Sequence, residues 1–346
     1  MTTLRLIFVL GLSLSGYILA AQSGFSFVDK KSEKKIVLRY DGKPITAYCY
    51  FDSTEKPVLY PVRTLSGVTV TRGFPIAPRH GERADHPHHT GLWFNYESVN
   101  GLDFWNNSSA IAPERKTSYG SIVHKKVLSS SAEKDAATLK VLSQWEDHQQ
   151  RVLLIETTEF NFRRNGNNFI IDRIASLEAV SPEVVFKDVK DGLIGIRVAR
   201  SLEMPSAQMD YFIDSQGQQT EEKALNNQGV TGMYVNREGV RGDEVWASSS
   251  PWVQLYGYAE DKPVSITIID HPDNPGYPTY WHARGYGLFA ANPLGREVFS
   301  KGQEQLNLTL KKGEKITFRY RIVIHDGEPL TSQQIDSLMA EFHDAR

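Results

Sequence analysis

The chain has 346 residues, with 39 Lys and Arg against 41 Asp and Glu and a formal net charge of −2. So neutral a balance gives no general attraction for nucleic acid or an anionic membrane. The only cysteine, Cys49, excludes an internal disulfide and any zinc site built on cysteine pairs, so stability must come from an apolar core.

Residues 1–21 carry one positive charge at Arg5, an apolar run to Leu19 and the small pair Ala20-Ala21, the pattern of a secretory leader cut near Ala21. The expectation is a periplasmic or secreted protein with no stable membrane insertion after cleavage; uncleaved, a run of about 20 residues could cross a bilayer. Cys49, between Tyr48 and Tyr50, reads as a small buried apolar side chain. Strand-like segments follow at Val68–Arg72, Ser121–Leu128, Ala137–Trp145, Ile194–Ala199, Val253–Tyr258 and Val264–Ile269. Asn165-Gly166 lies between two alternating runs and predicts a hairpin, because both residues tolerate the positive φ of a tight turn. Lys312-Gly313 shows the same grammar between Leu306 and Ile324. Residues 201–245 are polar and read as an excursion over the surface.

One helix is predicted near the C-terminus. Thr331 and Gln334 form a capping box, and Ile335, Leu338, Met339 and Phe342 form one apolar stripe. No repeat or linker divides the chain. The fold class is therefore all-β: a large antiparallel β-sandwich, one domain over residues 22–346, with a short C-terminal helix.

The chemistry-bearing residues concentrate in Arg79-His-Gly-Glu-Arg-Ala-Asp-His-Pro-His-His89, with His80, His86, His88 and His89 within ten residues. Pro87 disfavours a helical His86, so the run is expected to be extended, with His86 and His88 on one face and Asp85 and His89 on the other. Paired imidazoles can share proton transfer or bind a metal, and Asp85 could orient one of them. Trp93 and Trp105 could wall a pocket, and Glu97 and Asp103 add carboxylates. The plain alternative is a polar loop whose histidines satisfy buried backbone groups. A second group, His271, Asp273, Asn274, Trp281, His282 and Arg284, falls in a Pro-rich segment that reads as a rigid irregular loop and reuses the tripeptide Asp-His-Pro. A third segment, Lys187 to Arg197, is a solvated turn unless Lys190 or Arg197 faces the site. Walker, dinucleotide-binding and Gly-x-Ser-x-Gly signatures are absent.

The stretches Asp85-His-Pro-His-His-Thr-Gly-Leu-Trp-Phe94, Val99-Asn-Gly-Leu-Asp-Phe-Trp105, Lys190-Asp-Gly-Leu-Ile-Gly-Ile-Arg197, Asp270-His-Pro-Asp-Asn-Pro275, Pro278-Thr-Tyr-Trp-His-Ala-Arg284 and Gly287-Leu-Phe-Ala-Ala-Asn-Pro293 resemble a bacterial family labelled PmoA-like, of unknown function. The likeness covers nearly all of the chain after its leader. A methane oxygenase subunit needs several membrane spans, which this chain does not offer, so that inherited label is set aside. The resemblance implies a sandwich of the galactose-mutarotase-like kind, in which histidines act with a carboxylate or arginine on one sheet face. Fold alone does not fix activity.

The leading reading is an exported carbohydrate-active enzyme, of lyase, dehydratase or epimerase type, acting on a sugar or oligosaccharide by histidine acid–base chemistry. His86 or His88 would be base or acid, with His271 and His282 as partners and Arg79 or Arg284 stabilising an anion. Asp85, His89, Trp93, Glu97, Trp105, Lys190, Arg197, Asn274 and Trp281 would bind substrate. The second reading is a non-catalytic glycan-binding protein that stacks sugars on Trp93, Trp105 and Trp281. The third is a metal-dependent enzyme with a divalent cation on His86 and His88; no cofactor is otherwise indicated.

Overall fold

Alternation of apolar and polar side chains along short segments forces two-faced strands, and their apolar faces need a second sheet to cover them. The computed structural model describes residues 23–344, and the expected leader lies outside them. Two eight-stranded sheets face each other, with a two-stranded ribbon pairing Glu183–Phe186 and Leu308–Lys311. The first sheet runs from Phe25–Lys30 at one edge, through Leu92–Tyr96, Gly192–Arg197 and Leu288–Asn292, to Tyr280–Arg284 at the other. The second begins at Met233–Asn236 and ends at Ser121–Ala132. One continuous apolar core, including Leu92, Phe94, Ile194, Phe289, Phe160, Ile171 and Ile322, lies between them.

The all-β sandwich is thus present, closed by the helix Ser332–Asp344. Its capping box forms as expected: the Thr331 amide donates to Gln334 Oε1 at 2.9 Å and the Gln334 amide to Thr331 Oγ1 at 3.3 Å. Ile335, Leu338 and Phe342 bury against Trp252, Ile269 and Val323 on the outer face of the second sheet. The hairpin at Asn165-Gly166 also forms, joining Val152–Asn165 to Asn168–Ala179 with Asn165 opposite Asn168. Cys49 is buried, and burial pushes its thiol up to about 12.

Three local expectations are corrected. Lys312-Gly313 turns the chain but makes no hairpin: Leu308–Lys311 pairs with Glu183–Phe186, while Lys315–Asp326 joins Asn168–Ala179 in the second sheet. Val68–Arg72 makes only isolated bridges, Thr69 to Arg63 and Thr71 to Val198. The Pro-rich segment before Arg284 is not irregular throughout, because Tyr280–Arg284 is an edge strand paired with Leu288–Asn292. Proline removes a ladder donor, so the prolines stop at Pro278 and the strand starts after them.

Candidate functional site

The site lies on the face of the first sheet turned away from the core. Leu92, Phe94, Ile194, Ile196, Phe289, Ala291, Trp281 and Ala283 point into the core. Their alternates point outward, and the register aligns Trp93, Gly195, Ala290 and His282 in one row across four strands. Arg197, Leu288 and Arg284 form the next row. Gly195 is required where it stands: a Cβ there would lie 2.7 Å from Trp93 Cζ2 and 3.2 Å from Trp105 Cη2, so only glycine lets both indoles lie on the sheet.

The histidine run sits on this floor as a tight turn, not as the extended segment expected. His86 takes φ +42° and the His89 amide donates to the His86 carbonyl at 3.0 Å. The bend brings together side chains that an extended chain would separate. Trp93, His89, His86 and Tyr286 form a stack, with successive ring centroids 5.2, 4.9 and 4.9 Å apart and interplanar angles of 15°, 2° and 3°.

Two buried arginines enforce the turn. Arg72 donates to the carbonyls of Arg83, Asp85, His86 and His89 and pairs with the Asp85 carboxylate. Arg197 reaches Asp85 Oδ1 at 2.6 Å and His89 Nδ1 at 3.2 Å, and its guanidinium lies 4.9 Å from the Tyr286 ring centroid. Burial works against ionising Asp85, but Arg197, the hydrogen bond from His86 and Arg72 together hold its carboxyl far below the usual range.

Asp85 therefore stays a carboxylate, which can only accept. Its Oδ2 lies 2.7 Å from His86 Nδ1, so Nδ1 carries the proton and Nε2 keeps a free lone pair. The His86 side chain is 40% exposed, against 10% for Asp85. His89 has the opposite tautomer: Nδ1 accepts from Arg197, and its buried Nε2–H has no partner among the described residues. Burial, reinforced by neighbouring positive charge, lowers the pKa of both His88 and His89 well below the ordinary value and keeps them neutral.

A second histidine–carboxylate pair lies across the sheet. His282 Nδ1 is 3.3 Å from Asp191 Oδ1 without hydrogen-bond geometry. Burial pushes His282 down to about 3, helped by the charges of Lys190, Arg284 and His86, so its imidazole is neutral. Asp191 is raised by burial and by Asp103, while Lys190, at 3.6 Å, and His86 oppose the rise. Glu97 accepts from the Asp191 amide at 3.1 Å and is itself raised by burial and by Asp191.

Asp85, His86, His88, His89, Glu97, Lys190, Arg197 and His282 thus gather around one face, with Arg284 at the rim over Trp246. Trp93 and Trp105 belong to the floor; both are buried and offer no platform for a sugar ring. Trp281 is corrected outright. It alternates with His282, so it faces the core, where its indole donates to the Ser250 carbonyl at 2.9 Å. Arg79 is committed to Glu82 and the Thr71 carbonyl. His271 and Asn274 lie elsewhere: the His271 ring packs 5.0 Å from Phe342 of the C-terminal helix, and Asn274 bonds Asp270 and the backbone of Arg319. The two Asp-His-Pro segments therefore do not line one pocket; only the end of the second, at His282 and Arg284, reaches the first. Among the described residues no three His, Cys, Asp or Glu side chains converge as a metal-binding group.

Sequence reasoning missed Arg72, Tyr286 and Lys56. Lys56 is 3% exposed, donates to the His88 carbonyl at 2.8 Å and stands 5.6 Å over the Trp93 ring. Arg72 and Tyr286 lie just outside the two histidine-bearing segments and Lys56 lies well before the first, and no local pattern marks any of them.

A family model matches residues 35–340. The chain belongs to DUF6807, a family of unknown function. No curated protein sequence matches the chain, so no named relative stands behind the PmoA-like resemblance. Among solved structures, this DUF6807 protein is similar to the GH36 α-galactosidase AgaB from Geobacillus stearothermophilus, at 12% identity and TM-score 0.42 over 88% of this chain and 41% of that one. It is also similar to galactose 1-epimerase from Lactobacillus acidophilus, at 10% identity and TM-score 0.39 over 89% of this chain and 100% of that one. A heparan sulfate lyase HepC mutant from Pedobacter heparinus aligns at 9% identity and TM-score 0.34, over 89% and 36%. The chain spans about two fifths of the α-galactosidase. The similarity to carbohydrate-active enzymes is distant and concerns β architecture.

Proposed function

We propose that this DUF6807 protein is an exported carbohydrate-active enzyme that moves protons on a sugar or oligosaccharide, in the manner of a lyase, dehydratase or epimerase. The observation that carries this reading is the Asp85–His86 dyad. Its carboxylate is held ionised by two buried arginines, its imidazole is fixed through Nδ1, and the ring is open to solvent. Such an arrangement leaves the Nε2 lone pair free to accept a proton without the ring having to reorient during reaction.

His86 is preferred to His88 as the base because His88 is buried in a recess beside Lys56, and burial lowers its affinity for a proton well below that of an ordinary imidazole. The Asp191–His282 pair supplies the second proton-transfer group. Burial raises Asp191 and pushes His282 down to about 3, so Asp191, which is partly exposed, is the member that would give a proton to the substrate and regain it from solvent. Lys190 and Arg284 at the rim offer positive charge to an anion that develops on the substrate.

The test is turnover by purified protein on keto-sugars and on unsaturated or sulfated oligosaccharides. His86→Ala is expected to lower kcat by about 10²- to 10⁴-fold, the usual worth of a positioned base. An unchanged rate would remove His86 from the mechanism.

A further inference from the structure

Lysine is almost never fully buried unless it is paired. Lys56 breaks that pattern: it is 3% exposed, and among the described residues it makes no salt bridge, its one hydrogen bond running to a backbone carbonyl. It lines a cavity of about 100 Å3 with His88, Thr90, Asn107 and Ser108. Four hydroxyls border that cavity: those of Thr90 and Ser108 belong to buried residues, and those of Ser53 and Ser109 stand at its exposed mouth. The one carboxylate on its wall, Glu55, is engaged by Lys116 at 2.6 Å and Ser121 at 2.7 Å.

We propose that this cavity is a subsite for an anionic substituent of the saccharide, a carboxylate or sulfate group that pairs with Lys56 and is met by the surrounding hydroxyls. The assignment rests on the carbohydrate reading above and narrows it to acidic sugars. Size supports a substituent rather than a ring, since about 100 Å3 is well below the 300 Å3 or more of an ordinary ligand site. Thr54, Glu55 and Lys56 also border a separate groove of about 980 Å3, which the dyad does not line. His88 is the wall between cavity and dyad, its ring centroid 5.6 Å from that of His86, which puts the anion next to the proposed base.

Burial pushes Lys56 down to about 7, against the opposing pull of Glu55 and Asp103. A bound anion must raise it, so binding near pH 7 takes up a proton. Of the other titratable groups beside it, His88 is held neutral, Glu55 is paired with Lys116, and Asp103 is raised by burial while Lys56 opposes that rise.

Isothermal titration of the purified protein with glucuronate, galactose 6-sulfate and glucose, in buffers of different ionisation heat, tests the assignment. At least one acidic sugar is expected to bind ten times or more tighter than glucose, with proton uptake at pH 7. Glucuronate alone would identify the group as a carboxylate, galactose 6-sulfate alone as a sulfate. Lys56→Met should abolish the preference and Lys56→Arg should retain most of it, with thermal melts showing that both variants fold. His86→Ala should keep the preference, so a failure of the proposed chemistry stays distinct from a failure of the subsite. Equal affinity for glucose, no detectable binding of either acid, or an unchanged preference in Lys56→Met would overturn the proposal.

Discussion

The chain uses Asp-His-Pro twice, at Asp85–Pro87 and at Asp270–Pro272, and the two copies meet opposite fates. Both aspartates anchor a turn: the His89 amide closes back on His86 at 3.0 Å, and the Asn274 amide on His271 at 2.9 Å. Asp85 faces two arginines and is held ionised, with its histidine on the surface. Asp270 has no cationic partner among the described residues; it accepts from Asn274 and the Thr279 amide, and burial pushes it up to about 7. Its histidine packs against Phe342. The tripeptide is therefore turn grammar, and the arginines behind the first copy are what prepare it for chemistry.

This contrast can be broken at several points. The largest expected effect is the gap between the two histidines. His86→Ala should cost about 10²- to 10⁴-fold in kcat, whereas His271→Ala should leave turnover within about twofold, because its side chain fills a structural contact. Comparable losses in both would erase the distinction. Next comes Arg72→Met, which leaves Asp85 with Arg197 as its remaining cationic partner and deprives four carbonyls of a donor. Denaturant unfolding should show a loss of about 3–5 kcal/mol, since several buried carbonyls are left without a donor at about 1–3 kcal/mol each. A variant as stable as the parent would show that the arginines do not enforce the turn.

The smallest effect separates the two aspartates by sign. An unfolded Asp titrates near 3.9. Asp85, lowered in the folded chain, contributes stability that is present above that value and lost as pH falls through its folded pKa. Asp270, raised to about 7, makes the native chain hold a proton that the unfolded chain has released, so its contribution falls as pH rises from about 4 to 7. The full swing is at most about 4 kcal/mol, and Asp270→Asn should flatten it in unfolding curves between pH 5 and 8. A pH slope unaltered by that substitution would mean Asp270 is ionised throughout.

Much of the architecture was legible because its signals are local. Asn165-Gly166 needs only its own backbone to make a hairpin, and Thr331 with Gln334 caps a helix through neighbours. The site was legible in part. The histidine cluster announced itself by composition, but its shape depends on Arg72 and Arg197, which reach it from other segments. Pro87 argues against a helical His86 and leaves open the left-handed conformation that His86 adopts. Lys187–Arg197 looked like a solvated turn because its charges are conspicuous, yet Gly192–Arg197 is a buried central strand whose Arg197 braces the dyad. The period-two rule would have separated Trp281 from His282 had Tyr280–Arg284 been recognised as a strand; its five residues behind a run of prolines hid it.

The central claim is that Asp85 fixes His86 with its proton on Nδ1 and its lone pair on Nε2. Long-range 1H–15N correlation spectra of the uniformly labelled protein at neutral pH, with His86 assigned by comparison with His86→Ala, read that tautomer without any substrate. The account predicts the Nδ1–H form for His86, lost on Asp85→Asn. A His86 protonated on Nε2 alone, or a tautomer unaffected by Asp85→Asn, would contradict it.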